Sequence, residues 1–150
     1  MVVLCHPNNL VVFQLATAEY AIPISQVKEI IRYNGATKIP TAPEYMEGII
    51  NLRGKVISVV DLSGKFALPT EKGVAKQALI IEVAGREVGL VVDEVTEVIR
   101  LEETEVEAAN DLAQSNVFIK AIGKVDKRLL IILDLSNLFS EEMLAMKEAG

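Results

Sequence analysis

Apolar residues near the start of the chain recur at every second position. Val11, Phe13 and Leu15 alternate with smaller or polar neighbours, a break follows at residues 16–19, and Tyr20, Ile22 and Ile24 continue the pattern. A period of two interrupted by a turn predicts a β-hairpin. A second hairpin is denser: Leu79 to Val83, a turn at Ala84-Gly85-Arg86, then Val88 to Val92. Its near-continuous apolar run suits strands buried on both faces. Strands are also predicted at Val27–Tyr33 and Val95–Leu101. Just before each, Ser25 and Asp93 stand at matching places as candidate caps for a single helical turn.

The two hairpins are copies of one segment. LVVFQLATAEYAIPISQVKEIIR at residues 10–32, moved by 68 positions, lies without a gap on ALIIEVAGREVGLVVDEVTEVIR at residues 78–100. Ala16 falls on Ala84, Glu19 on Glu87, Val27 on Val95, Glu29 on Glu97 and Arg32 on Arg100. At a shift of 73, Val59-Val60-Asp61-Leu62-Ser63 lies on Ile132-Leu133-Asp134-Leu135-Ser136, and Phe66 on Phe139. Two copies are too few for a solenoid, and they imply two similar small β subdomains that divide somewhere in residues 63–77. Strand exchange near that boundary is compatible with the repeat.

Between the copies, Thr41-Ala42-Pro43-Glu44 has the form of a capping box with Pro in the first turn, which predicts a short helix closed by Gly48. Asn51 to Lys55 then reads as a tight turn between two strands. Residues 102–116 predict the longest loop, and Ser140 with Glu141 and Glu142 predicts a terminal helix through Ala149.

Composition narrows the function classes. In 150 residues, 51% are hydrophobic and 24% charged, enough to fill a core and too apolar for disorder. The net charge is −6 and uneven: residues 1–75 sum to +1 and residues 76–150 to −7. With aromatics at 5% and no Trp, neither a phosphate-binding stripe nor a base-stacking platform is present, which argues against nucleic acid. The single Cys5 excludes an internal disulfide, the first residues lack the features of a signal peptide, and no apolar run approaches the ~20 residues of a membrane span. A cytoplasmic protein is expected.

The sequence offers little chemistry. His6, the only histidine, adjoins Cys5, and two ligands do not make a metal site. No Gly-rich phosphate loop is present. Asp61 and Asp134 sit at equivalent places, and each is expected to cap the end of its own strand rather than act as an acid or base. The serines lack a histidine partner able to serve as base. No catalytic residue, metal or cofactor is expected. From the residues alone, a β-barrel binding module of OB or SH3 type for some other ligand stays open, as does an enzyme built on the two aspartates.

The stretch Tyr45-Met46-Glu47-Gly48-Ile49-Ile50-Asn51-Leu52-Arg53-Gly54-Lys55-Val56-Ile57-Ser58-Val59-Val60-Asp61-Leu62 resembles the hallmark of the chemotaxis coupling protein family, CheW. The opening hairpin with Val27-Lys28-Glu29-Ile30 and the later Gly89-Leu90-Val91-Val92-Asp93-Glu94-Val95 are similar to other blocks of it, and together they run from about residue 9 to 147. Ser58 departs from the family, which commonly has proline there.

The resemblance implies an all-β fold of two side-by-side five-stranded SH3-like β-barrels with short connecting helices and a short C-terminal helix. The subdomains would cover about 9–68 and 77–147, with exchanged strands possible at the boundary. It implies a stand-alone adaptor rather than an enzyme, joining the histidine kinase CheA, through its regulatory domain, to the cytoplasmic helices of chemoreceptors. It implies a receptor groove of Val27, Glu29, Ile30, Arg53, Val98 and Ile99, and a kinase contact of Lys38, Ile39 and Glu47. In that reading the apolar residues form the floor, Arg53 is a polar clamp, and Glu29 and Glu97 are rim charges.

Overall fold

The computed structural model describes residues 9–68, 76–108 and 118–139. Eleven strands appear among them: β1 (Asn9–Leu15), β2 (Ala18–Pro23), β3 (Val27–Tyr33), β4 (Met46–Leu52), β5 (Lys55–Asp61), β6 (Lys76–Val83), β7 (Arg86–Val92), β8 (Glu94–Arg100), β9 (Val106–Ala108), β10 (Ile119–Val125) and β11 (Arg128–Leu133). Single helical turns, α1 (Leu62–Lys65) and α2 (Leu135–Leu138), follow β5 and β11, and 3-10 turns lie at Ile24–Gln26 and Glu103–Glu105.

The strands form two sheets, in the orders β8-β1-β2-β11-β10-β9 and β3-β6-β7-β5-β4. All-β is the class expected, and the repeat is visible in the pairing itself. In the second sheet β5 runs parallel to β7 with Ser58 opposite Val88 and Val59 opposite Gly89; in the first, β11 runs parallel to β2 with Ile131 opposite Tyr20 and Ile132 opposite Ala21. These are the same register under the shifts of 73 and 68. The fold differs from the expectation in closure and strand number. The first sheet has six strands and the second five, and neither ladder closes into a barrel. Beyond β4, the isolated bridge between Thr37 and Ile49 takes the place of a ladder.

The chain divides into two compact units, neither of them contiguous. One consists of β1 and β2 with β8 to β11; the other consists of β3 to β7 and takes the β1–β2 turn, residues 14–17. Each repeat therefore gives its hairpin to the other repeat's sheet. A hairpin copied in sequence presents the same faces, so it can complete either partner sheet.

In the first unit Leu10, Val12, Ala21, Leu101, Ala121, Leu130 and Ile132 form a buried cluster, with Ile99, Val106 and Val125 packed against it. Phe13 and Tyr20 stack nearby with ring centroids 6.1 Å apart. In the second unit the apolar runs of β6 and β7 are buried throughout Ala78–Ile81 and Val88–Val92, as their unbroken hydrophobicity predicts.

Three local expectations change. Thr41 to Gly48 forms turns and no helix: Ile39 O accepts from Ala42 N–H at 3.2 Å, Pro43 O accepts from Met46 N–H at 3.0 Å, and β4 begins at once. The Thr37–Ile49 bridge, in which each N–H donates to the other residue's carbonyl at 2.9 Å, holds the chain extended into β4 instead. Asp93 starts no helical turn, whereas Ser25 lies in one; Asp93 Oδ2 accepts from Ala16 N–H at 2.8 Å instead. Part of the loop expected at 102–116 is strand β9, paired with β10. Ser58 lies within the ladder, opposite Ile49 and Val88. Cys5, His6 and the helix expected from Ser140 to Ala149 lie outside the described residues.

Candidate functional site

The β4–β5 hairpin begins the site. Leu52 faces Lys55, so the turn has two central residues, Arg53 and Gly54, at φ +52° and +87°. Two left-handed residues match the twist of the flanking strands, and glycine takes the second at no steric cost. Asn51 Oδ1 accepts from Gly54 N–H at 2.9 Å and braces the turn. Arg53 is thereby held at the hairpin tip, its side chain 69% exposed, where it donates to the Glu29 carboxylate of β3. β3 and β5 are separated in the sheet by β6 and β7, about 14 Å if flat, so this contact requires a strongly curled sheet.

β3 alternates half-buried and exposed positions. Ile30 is 41% exposed, while Val27 and Glu29 are half-buried. Val27 faces Ile81 beside a β-bulge that re-aims the strand before Glu29. Around the hairpin, Lys55 Nζ lies 3.2 Å from Glu87, and Lys28 lies 3.4 Å from Glu82 and 4.0 Å from Glu87. The structure thus brings Glu29, Ile30 and Arg53 onto neighbouring parts of the second unit.

In the first unit β8 supplies Val98, 54% exposed, and Glu97, which accepts from Arg128 at 2.6 Å. Ile99, expected in the groove with Val98, packs against the core of its own unit. Alternation along the strand sends one of the two inward. Arg128 also donates through Nε and Nη2 to Glu19 at 3.0 and 2.8 Å, which holds the Glu19 carboxyl below the usual carboxylate range. These carboxylates in turn raise the Arg128 pKa.

Lys38, Ile39 and Glu47 all lie in the second unit, toward the end where β3 finishes and β4 starts. Lys38 is exposed and Ile39 half-buried. Glu47 is engaged: Tyr33 OH donates to it at 2.7 Å, and burial together with this carboxylate raises the Tyr33 pKa. Asp61 adjoins the same cluster. Burial, and then Glu47, push its carboxyl upward; Lys76 and the N–H groups of Ser63 and Gly64 oppose this, without forming a side-chain cap. Lys65 stands over the Tyr45 ring, 4.4 Å from its centroid.

The residues missed by sequence reasoning are Arg128, Tyr33, Val56 and Leu129. Val56 is 72% and Leu129 62% exposed. A signal existed: the shift of 73 places Val56 on Leu129 and Lys55 on Arg128. Among the described residues no cluster of His, Cys, Asp or Glu has the makings of a metal site, and no helix is long and apolar enough to cross a membrane.

The model of the CheW-like domain matches residues 9–143. The chain belongs to the CheW-like domain family. It is 39% identical to the chemotaxis protein CheW of Bacillus subtilis over 139 residues, 90% of this chain and 88% of that one. The chemotaxis protein CheW of Klebsiella aerogenes is 32% identical, with 93% of this chain and 86% of that protein covered. The crystal structure of the scaffolding protein TtCheW from Thermoanaerobacter tengcongensis superposes with a TM-score of 0.83 at 39% identity, covering 89% of this chain and 93% of that chain. The CheW-like assignment thus rests on sequence and on three-dimensional similarity over nearly the same residues.

Proposed function

We propose that this CheW-family chemotaxis adaptor couples the cytoplasmic tips of chemoreceptors to the regulatory domain of the histidine kinase CheA, as a cytoplasmic scaffold and not as an enzyme. The observation that carries the receptor side is Arg53, exposed at the hairpin tip and held by the half-buried Glu29, in the same unit as the outward-facing Ile30. An amphipathic receptor helix presents an apolar stripe and flanking carboxylates, and a guanidinium can leave one carboxylate for another at little cost when both are wet. Glu29 keeps Arg53 oriented until then. Val98, exposed at the equivalent place on β8, is assigned an apolar receptor contact of its own; Val27 supports β3 from its half-buried side. Ile99 contributes through packing rather than contact.

The kinase side is assigned to Lys38, Ile39 and Glu47. Their end of the second unit carries turns and an incompletely paired strand, features that suit docking to a domain of similar fold. Tyr33 holds Glu47 in place there.

Pull-down with a chemoreceptor cytoplasmic fragment and, separately, with the kinase regulatory domain tests the reading. Capture of both is expected, with Arg53→Ala weakening the first more than the second. Capture of neither removes the adaptor function.

A further inference from the structure

Under the repeat, Lys55 corresponds to Arg128, Glu87 to Glu19 and Glu29 to Glu97. The second unit uses separate cations on its two carboxylates: Lys55 pairs with Glu87 across the parallel β5–β7 junction, with Lys28 at 4.0 Å as well, and Arg53 pairs with Glu29 on β3. In the first unit, Asp126 occupies the turn position equivalent to Arg53, with a similar left-handed φ of +56°. Arg128 bonds to both carboxylates there, Glu19 across the parallel β11–β2 junction and Glu97 on β8.

We infer that Arg128 is a positioning residue for the receptor-facing side of β8, doing with one guanidinium what Lys55 and Arg53 do separately. The inference rests on the receptor reading given above. Among the described residues β8 is an edge strand of its sheet, so one of its sides lacks a ladder there to fix its rotation. Fixing Glu97 on one face of the strand fixes Val98 on the opposite face, exposed. A planar fork of five donors can serve two carboxylates at once, which a lysine ammonium on a flexible stem does poorly. The two units therefore differ in kind. Arg53 has one carboxylate and a mostly exposed side chain, so it is free to change partners. Arg128 is tied twice and less exposed, 36% against 69%, so it stays in place.

Arg128→Lys separates positioning from stability, because lysine at this place reproduces the Lys55–Glu87 pair and gives up Glu97. Its melting temperature is expected to stay within about 3 °C of wild type, since an exposed pair contributes little. Backbone amides of residues 98–100 should exchange faster, and affinity for a chemoreceptor cytoplasmic fragment should fall about three- to tenfold. Binding of the kinase regulatory domain should not change. Adding Asp126→Arg to Arg128→Lys rebuilds the arrangement of the second unit and should restore both slow exchange and receptor affinity.

The inference is overturned if Arg128→Lys leaves exchange in β8 unchanged, if it loosens β8 without weakening receptor binding, or if it lowers stability broadly and the added arginine restores nothing. Failure of the wild-type protein to bind the receptor fragment is a different result. It sinks the adaptor reading, and exchange in β8 then decides alone whether Arg128 positions the strand.

Discussion

Arg53 at the tip of the β4–β5 hairpin donates to Glu29 in the middle of β3, tying together parts of one sheet that two other strands separate. Arg53 is mostly exposed, so the pair contributes at most about 1 kcal/mol to stability. Arg53→Ala is therefore expected to melt close to wild type while losing receptor coupling, and Arg53→Lys to restore it only in part. Thermal melts beside receptor titrations check this. A sharp drop in melting temperature with receptor affinity intact would place Arg53 in the fold and not in the site.

Ile30 and Val98 are the outward apolar residues of β3 and β8, at equivalent positions of the repeat. Truncating either to Ala should cost roughly 1–2 kcal/mol of receptor binding. Ile99→Ala, by contrast, should lower stability first, because that side chain packs on its own core. Parallel calorimetry of binding and unfolding distinguishes the two patterns.

Ile39→Asp places a charge on a half-buried residue at the proposed kinase-docking end. Binding of the kinase regulatory domain should weaken at least about tenfold, with receptor binding preserved. Equal loss of both partners, with a lowered melting temperature, would show that Ile39 serves its own unit alone.

Gly48 and Gly123 make a contrasting pair. A Cβ on Gly48 would come to 2.0 Å from the Thr37 carbonyl oxygen, at a φ of +138°. A Cβ on Gly123 would come to 2.7 Å from Cδ1 of the buried Leu101, a side-chain end rather than backbone, and at no positive φ. Gly48→Ala should therefore destabilise by more than about 2 kcal/mol and Gly123→Ala by less, measured by denaturant unfolding.

Asp61 and Asp134, equivalent in the repeat, have opposite surroundings. Asp134 accepts from the N–H groups of Ser136 and Asn137 at 3.1 and 3.3 Å and caps α2. Asp61 makes no such cap, and its Oδ1 is buried without a partner. Burial raises the Asp61 pKa above its ordinary 3.8, so over that interval the folded chain binds more protons than the unfolded one. This contribution is complete below pH 3.8 and is lost as pH rises through the elevated value. Asp61→Asn should thus stabilise the protein at pH 7 relative to wild type, with the advantage vanishing near pH 3. Asp134→Asn should be close to neutral, because asparagine also caps.

Much of this protein is determined locally. The period-two runs mark the β1–β2 and β6–β7 hairpins, Asn51-Leu52-Arg53-Gly54 marks a two-residue turn, and the shifts of 68 and 73 mark the duplication. Each depends on neighbours a few residues apart, and so does the stretch around Arg53 that carries the family resemblance. Which hairpin joins which sheet is not local. Two similar hairpins bury equivalent faces, so the pattern says which side chains turn inward and leaves their partners open; long-range packing placed β6 and β7 with β3 and β5, and β1 and β2 with β11. The capping-box pattern at Thr41 failed for the same reason, since the Thr37–Ile49 bridge is a pairing that helix propensity does not contain. Only the tertiary structure shows that one arginine, Arg128, holds carboxylates 109 and 31 residues away. Charge pairing acts through space, and the sequence lists charges without their distances.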